Sequence, residues 1–111
     1  MKYVCLVYMD ENDADAVSDR ECLTFGESLR KRGCHIGGEA LQRVDTATTV
    51  RVRNAKVSIT DGPFAETKEQ LAGFYLIDAK SLDEAIEVAS KIPPARVGSI
   101  EVRPVRTLSA S

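Results

Sequence analysis

The sequence predicts an α+β fold in which two helices pack on one face of an antiparallel sheet. Two segments of strand length are apolar throughout and others alternate between apolar and polar residues, as strands buried on both faces or on one face do. Two further segments start with a capping-box spacing and continue with apolar residues at helical intervals. These elements follow each other in the order β-α-β, hairpin, β-α-β.

The chain is long enough for one domain. It has 111 residues and a mass of 12.1 kDa, and its 43% hydrophobic and 29% charged residues are ordinary globular values. We expect a single domain over residues 1–106 and a C-terminal tail over residues 107–111. The net charge is −2 and no basic block occurs, so direct binding of nucleic acid is not expected. No apolar run approaches the ~20 residues that span a bilayer and no signal-peptide pattern begins the chain, so we expect no membrane association and a cytoplasmic location.

Strong local signals mark the first strand and the first helix. Residues 3–9 form a continuous apolar run of strand length. After an acidic segment of loop character, Ser18 and Glu21 have the spacing of a capping box. An apolar stripe follows at Cys22, Phe25, Gly26 and Leu29. Gly33 can supply a left-handed cap, so the helix is expected over Asp19–Arg32.

A second strand and an inserted hairpin come next. Residues 34–41 indicate a strand in which Gly37 and Gly38 mark a bulge or a close backbone approach. With Asn54 and Ala55 in the turn, the apolar residues of the hairpin face one another in pairs. These apolar residues are Val50, Val52, Val57 and Ile59, and the polar face carries Thr49, Arg51, Ser58 and Thr60. Alanine is poorly suited to the positive φ of a two-residue turn, so a four-residue loop with the same register is the alternative.

The second half of the chain repeats the pattern of the first. Residues 71–78 contain another fully apolar strand, and Ser81 and Glu84 repeat the capping-box spacing. The expected apolar stripe of the second helix is Leu82, Ala85, Ile86, Ala89 and Ile92. Pro93 ends this helix, and residues 98–105 alternate as a last strand.

Together these elements predict the ferredoxin-like arrangement, because right-handed crossovers place both helices on the same face of the sheet. The other face then stays uncovered, although the first strand and the strand over residues 71–78 are apolar on both faces. Leaving four or five such side chains in water would forgo about 1.5–3 kcal/mol each. The sequence therefore predicts a homodimer whose subunits pack through the uncovered faces.

A nine-residue motif, Asp-Gly-Pro-Phe-Ala-Glu-Thr-Lys-Glu, occupies residues 61–69. It resembles the signature of the DGPF-domain proteins, which are part of the YCII-related family. The resemblance continues in residues 47–53, 73–77 and 100–104, so it covers nearly the whole chain. It implies a dimeric α+β barrel. Because members of this branch are often encoded beside extracytoplasmic-function sigma factors, association with a sigma factor is the alternative partner that it implies.

Histidine chemistry is the point at which this chain departs from some distant members of that family. They include a dehydrochlorinase of a chlorinated aromatic compound, in which a histidine of the first helix is thought to work with an aspartate. The first helix of this chain has no histidine. Its single histidine, His35, starts the second strand, where it is either an ordinary strand residue or an acid–base group.

Asp61 is the candidate catalytic residue. It ends the hairpin strand whose polar face lies across from Arg51, and it precedes a turn fixed by Gly62 and Pro63. A carboxylate on such a turn could remove a proton from a small bound molecule, while Arg51 holds an anionic group of that molecule. The alternative is that Asp61 accepts a hydrogen bond from its own backbone two residues on, as aspartates in turns often do.

The candidate binding residues are Tyr8, Thr49, Arg51, Pro63, Phe64, Lys68 and Tyr75. Tyr8 and Tyr75 put a hydroxyl on an apolar strand, where each either lines a pocket or belongs to the core. Pro63 and Phe64 line the pocket or only shape the turn, and Lys68 binds a ligand or only faces solvent. The three cysteines are widely spaced and one histidine is present, so no metal site is expected. No phosphate loop or dinucleotide fingerprint occurs, so no cofactor is expected.

Three functions are compatible with these residues. The leading hypothesis is a homodimer with a small-molecule pocket beside the turn at residues 61–64, and with cofactor-free proton-transfer chemistry of the lyase or isomerase kind. The alternative is a protein that binds a ligand or a regulatory partner, such as a sigma factor, without chemistry. In the third, the motif only stabilises the dimer.

Overall fold

Six strands and two α-helices make up this computed structural model, which describes residues 1–110. Their bounds are β1 Lys2–Met9, α1 Asp19–Arg32, β2 His35–Ala40, β3 Thr48–Arg53, β4 Lys56–Asp61, β5 Gln70–Asp78, α2 Leu82–Ser90 and β6 Ser99–Pro104. The connecting 3-10 segments are Glu11–Ala16, Val44–Thr46 and Pro93–Arg96. Within the described residues, no helix is long and apolar enough to cross a membrane.

The main sheet has the strand order β2-β5-β1-β6, and every neighbouring pair is antiparallel. Helix α1 connects β1 to β2, and α2 connects β5 to β6. Residues of both helices join the same core cluster against one face of this sheet. The predicted ferredoxin-like α+β arrangement is therefore confirmed, and the other face of the sheet is left without a helix.

The core lies between the sheet and the two helices. Along β1, Tyr3, Cys5 and Val7 are buried, whereas Val4 and Leu6 on the opposite face are half-buried. The other buried hydrophobic residues are Leu29, Cys34, Ile77, Ala79, Ala85, Val88, Ala89 and Ile92. Burial raises the pKa of the Cys5 thiol to about 11, so this thiol stays protonated at neutral pH and packs as a small apolar group.

Helix α1 has the predicted bounds and caps. The backbone N–H of Glu21 donates to Ser18 Oγ at 3.2 Å, and the backbone N–H of Ser18 donates to Glu21 Oε2 at 2.9 Å. This reciprocal pair is the capping box. At the other end Gly33 has a φ of 80°, the left-handed conformation that ends a helix.

Helix α2 has a different buried stripe from the predicted one. Its buried positions are Ala85, Val88, Ala89 and, just beyond the helix, Ile92. These four follow the i, i+3, i+4, i+7 spacing, which leaves Leu82 and Ile86 on the edge of the stripe, each 50% exposed. The second capping box is half formed: the N–H of Glu84 donates to Ser81 Oγ, but the Glu84 carboxylate accepts from the N–H of Lys80.

Strand β2 is one residue shorter at each end than predicted, and both features expected at its glycines are present. The register with β5 shifts between His35 and Gly37, which is the irregularity of a bulge. At Gly38 the neighbouring backbone approaches so closely that an added Cβ would lie 2.6 Å from the carbonyl oxygen of Phe74. This close approach explains why the strand carries a glycine there.

Strands β3 and β4 form a separate hairpin that pairs with no other strand of the described chain. Its register is the predicted one, with Val50 opposite Ile59 and Val52 opposite Val57. Asn54 and Ala55 have φ values of 52° and 63°, so the connection is a two-residue turn of the type I′ kind rather than a four-residue loop. The hairpin is therefore an arm attached to the sheet through its base alone.

Candidate functional site

A cleft of about 660 Å³ lies between the base of the hairpin and the helix-free face of the main sheet. Tyr8 on β1 and Leu71 on β5, which lie opposite each other in the sheet, contribute one wall. Thr48 and Val50 on β3 contribute the facing wall. The remaining lining residues are Leu41, Gln42, Arg43, Val44, Thr46, Ala47, Thr49, Pro63, Phe64, Ala65, Thr67 and Gln70.

Two hydrogen bonds fix the turn at residues 61–64 against the start of β3. The backbone N–H of Gly62 donates to the carbonyl oxygen of Ala47 at 2.8 Å. The hydroxyl of Thr49 donates to the carbonyl oxygen of Gly62, also at 2.8 Å. These bonds hold the turn so that Pro63 and Phe64 line the cleft.

Arg43 is a site residue that sequence reasoning missed. Among the lining residues it carries the one formal charge, and its side chain is mostly exposed. The carboxylate of Glu11 lies 3.4 Å from its guanidinium and also accepts a 2.8 Å hydrogen bond from the backbone N–H of Val44. Glu11 therefore anchors the loop that carries Arg43. No local sequence pattern indicates this contact, because both residues lie in connections far apart along the chain.

Several hydroxyl groups that line the cleft already donate hydrogen bonds to backbone carbonyl oxygens, so they shape the wall of the cleft rather than bind a ligand. Thr46 donates to the carbonyl oxygen of Arg43, and Thr67 donates to that of Glu69. By contrast, the side chains of Tyr8, Thr48 and Gln42 have no hydrogen-bond partner within the described part of the chain. The polar groups that can contact a ligand are these three side chains and the guanidinium of Arg43, which is mostly exposed and pairs with Glu11 at 3.4 Å.

Asp61 lies on the opposite face of the hairpin from Arg51, although the sequence hypothesis has the two side chains act on the same ligand. It pairs with Thr48, and alternation along β4 places it on the face of Val57 and Ile59 rather than beside Ser58. Residues directly opposite in an antiparallel pair have Cβ atoms about 4.5–5.5 Å apart. Thr48 lines the cleft, so Asp61 is the direct cross-strand neighbour of a lining residue, although it does not itself line the cleft.

The carboxylate of Asp61 is also not held by its own turn. The residue two positions on is Pro63, which has no N–H to donate, and the N–H of Gly62 is bonded to Ala47. Over residues 1–110, no hydrogen bond or ion pair involves this carboxylate. The alternative in which Asp61 only closes its own backbone is therefore absent from the structure.

Arg51 and Lys68 are not brought into the cleft. Arg51 lies opposite Ser58 on the polar face of the hairpin, away from Asp61, and its guanidinium makes a long 3.5 Å contact with the carbonyl oxygen of Phe64. Lys68 is exposed in the connection before β5 and does not line the cleft. The nearest cation to the cleft is therefore that of Arg43.

Tyr75 and His35 lie on the other side of the sheet from Tyr8. Tyr75 pairs with Cys5 on the helix-covered face, where its ring meets that of Phe25 edge to face at 5.4 Å. Burial there, with a smaller effect of Cys22, raises the pKa of the Tyr75 hydroxyl. His35 pairs with Ile77 at the end of β2. Neither residue lines the cleft, which brings together Tyr8, Thr49, Pro63 and Phe64 of the predicted set.

No group of three or more histidine, cysteine, aspartate or glutamate side chains in residues 1–110 lies close enough together to hold a metal ion. The chemistry that the described residues offer is therefore that of a carboxylate, a guanidinium, free hydroxyl and amide groups and an apolar wall.

Comparison with known proteins finds a matching family, a related sequence and a similar solved structure. The family model for the YCII-related domain matches residues 1–109. An uncharacterized protein of Rhizobium meliloti (strain 1021) is 40% identical over 114 residues, which cover 95% of this chain and 92% of that protein. The chain also superposes on a solved structure, that of 5-chloro-2-hydroxyhydroquinone dehydrochlorinase from Burkholderia phenoliruptrix AC1100 in complex with 2,5-dihydroxybenzoquinone. The TM-score is 0.58 and the sequence identity is 14%, and the match covers 96% of this chain and 94% of the dehydrochlorinase chain. At this identity the likeness shows the fold alone.

Proposed function

The chain belongs to the YCII-related family, and we propose that it is a homodimer that binds a small anionic or hydroxylated molecule in the cleft and catalyses a proton transfer there without a cofactor. One observation carries this proposal: a carboxylate without a partner, that of Asp61, stands on a fixed turn beside a cleft that also contains the guanidinium of Arg43. A base and a cation at one small site are the two groups that proton abstraction next to a carbonyl requires.

The step follows from these two groups. The carboxylate of Asp61 takes a proton from a carbon adjacent to a carbonyl group of the ligand and, once protonated, returns it to the same carbon or to a conjugated one. The electron pair of the broken bond moves onto the carbonyl oxygen, and the guanidinium of Arg43 with the hydroxyl of Tyr8 stabilises the negative charge that develops there. Glu11 acts as a positioning residue, because it holds the loop that carries Arg43.

The composition of the cleft supports a ligand with one flat ring. Leu41, Val50, Phe64 and Leu71 offer apolar surface, and free polar groups are few. The ligand in the dehydrochlorinase structure, 2,5-dihydroxybenzoquinone, is a small hydroxylated ring of this kind, so it is a suitable first probe.

The extent of exposed surface supports the homodimer. The isolated chain exposes 8037 Å². A compact protein of 12.1 kDa exposes roughly 6,000 Å². The difference of roughly 2,000 Å² exceeds the ~800 Å² per partner that a stable protein interface usually buries. The uncovered face of the sheet contributes apolar side chains to this exposed surface, with Val4, Leu6, Phe74 and Leu76 half-buried on it.

The binding arm of the test uses isothermal titration with 2,5-dihydroxybenzoquinone. We expect Arg43→Gln to weaken binding about tenfold or more, because it removes the cation of the cleft. Arg53→Gln is the matched control, since Arg53 lies near the tip of the hairpin and does not line the cleft. Equal effects of the two variants, or no binding by the wild-type chain, would contradict the proposed site.

The catalytic test follows exchange of the ring protons of the same probe with deuterium in D₂O by NMR. In this exchange a ring carbon takes up a deuteron to give the keto tautomer and then loses its original proton to the carboxylate of Asp61. Asp61→Asn should slow this exchange by about 10²-fold or more while the affinity changes less than about threefold. Binding without exchange in the wild-type chain would contradict catalysis and favour the alternative, a binding protein without chemistry. The sigma factor that the sequence resemblance implies would then be the partner to test.

A further inference from the structure

The hairpin formed by β3 and β4 presents an apolar face to solvent. Its members are Val50, Val52, Val57 and Ile59, which are 60%, 56%, 65% and 69% exposed. We call these four residues the hairpin patch. They pair directly across the two strands, so they form one contiguous surface rather than scattered side chains. A contiguous apolar surface of this kind marks a contact with another molecule.

The arm cannot be stable without such a contact. Its two strands pair with each other and with no further strand of residues 1–110, and a two-stranded hairpin alone is at best marginally stable in water. Its opposite face carries Arg51, Arg53 and Lys56 together with serine and threonine. That face suits solvent, so the partner must lie on the side of the hairpin patch.

The hairpin patch is continuous with the uncovered face of the main sheet. Val50 belongs to the patch and lines the cleft, and Tyr8 and Leu71 line the same cleft from the sheet. The base of the patch and the sheet face are therefore two walls of the same cleft. A body that covers the sheet face thus meets at least the base of the hairpin patch.

From this arrangement we infer that the hairpin is an arm that packs its patch against a second copy of this chain and thereby closes the open side of the cleft. The inference rests on the homodimer of the proposed function and adds which element reaches the partner. A second copy is the occupant because the roughly 2,000 Å² of excess exposed surface exceeds the ~800 Å² per partner that a stable interface buries, and because the patch and the uncovered sheet face are neighbouring apolar surfaces of the same chain. Each ligand site is then completed by the other subunit.

Sedimentation equilibrium of the full chain tests whether the hairpin patch contributes to the dimer. Ile59→Glu places a charge in the patch, and it should weaken the dimer at least about 100-fold. Ser58→Glu is the matched control, because Ser58 is the preceding residue on the same exposed strand and faces the opposite way. It should change the dimer dissociation constant less than about threefold. Far-UV circular dichroism checks that both variants fold.

A milder substitution keeps the test decisive if Ile59→Glu does not fold. Val57→Thr conserves shape and strand preference, and it should weaken the dimer several-fold. A dimer as tight as the wild type in both patch variants would overturn the arm while leaving the proposed function standing. A wild-type chain that is monomeric at 10 μM would overturn the dimer itself.

A separate binding measurement tests closure of the cleft. Binding of 2,5-dihydroxybenzoquinone should weaken in Val57→Thr, and unchanged affinity would contradict closure of the cleft.

Discussion

Ala55 is the residue whose backbone conformation suits its type least. Its φ of 63° is left-handed, which for a residue with a Cβ costs about 1 kcal/mol or more. Ala55→Gly should therefore raise the free energy of unfolding by about 0.5–1 kcal/mol, after the greater freedom of glycine in the unfolded chain is included. Urea denaturation measures this change. Asn54→Gly is the control, because asparagine already tolerates its φ of 52° and little gain is expected. Destabilisation by Ala55→Gly would contradict the turn.

Gly37 and Gly38 are adjacent in sequence and differ in surroundings. A Cβ at Gly38 would meet the carbonyl oxygen of Phe74 at 2.6 Å and the Cα of Tyr75 at 3.2 Å, whereas one at Gly37 would meet nothing within 4 Å. Because backbone atoms cannot move aside as a flexible side chain can, Gly38→Ala should cost about 1–3 kcal/mol of stability. Gly37→Ala should be neutral or slightly stabilising. Similar thermal midpoints for the two variants would show that the strand accommodates the extra atom.

At the scale of elements, an ion pair joins the end of α1 to α2. Arg32 lies 2.9 Å from the carboxylate of Glu87, and Lys91 contacts the same carboxylate from within one helical turn. Hydrogen bonds from Arg32 and then Lys91 lower the pKa of Glu87 below its usual value of 4.5. A carboxylate whose pKa is lower in the folded state contributes stability above its unfolded pKa and loses it as the pH falls through the folded value.

The corresponding prediction concerns acid stability. Between pH 6 and pH 3 the urea midpoint of the wild-type chain should fall more steeply than that of Glu87→Gln, which has no proton to take up at this position. The difference should shrink in high salt, because the pair is exposed to solvent. Glu27→Gln, which replaces an exposed α1 carboxylate, is the control and should follow the wild-type curve. Parallel curves for wild type and Glu87→Gln would contradict a contribution from the pair.

The elements also show which features a sequence can predict. The ends of α1 follow from the capping box at Ser18 and the cap at Gly33, because these hydrogen bonds form between near neighbours in the chain. The orientation of α2 about its axis cannot be predicted from the sequence. Ile86 and Val88 are similarly apolar, and only packing against the sheet decides which of them is buried. The turn type of the hairpin was open for a similar reason: local preference argued against Ala55, and the pairing of the two strands overrode it.

At the scale of the whole molecule, the structure brings together a part of the candidate residues that the sequence analysis names. The motif located the turn, and Tyr8, Thr49 and Phe64 come together beside it. Tyr75 could not be placed, because a strand that is apolar on both faces gives no sign of which face meets the helices. Arg43 could not be found, because its position depends on a contact with a distant loop residue rather than on any local pattern.

The shape of the chain leads to a last prediction about its stability. The isolated subunit measures 46 × 46 × 19 Å with a radius of gyration of 15.9 Å, whereas a compact chain of this length has about 13 Å. A plate so thin has a core on one side of its sheet alone, so we expect the proposed dimer to supply much of its folding free energy. Unfolding is then coupled to dissociation, and a 100-fold rise in protein concentration should stabilise the folded state by about 2.7 kcal/mol.

Differential scanning calorimetry from 2 to 200 μM checks this expectation. With an unfolding enthalpy of about 0.7 kcal/mol per residue for each subunit, the midpoint should rise by roughly 5–7 °C over that range. Ile59→Glu should melt at a lower temperature that no longer depends on concentration, because a chain that has lost its partner unfolds alone. A wild-type midpoint that stays constant across the range would mean that one subunit is stable with its sheet face in water, and the exposed surface of the isolated chain would then need another explanation.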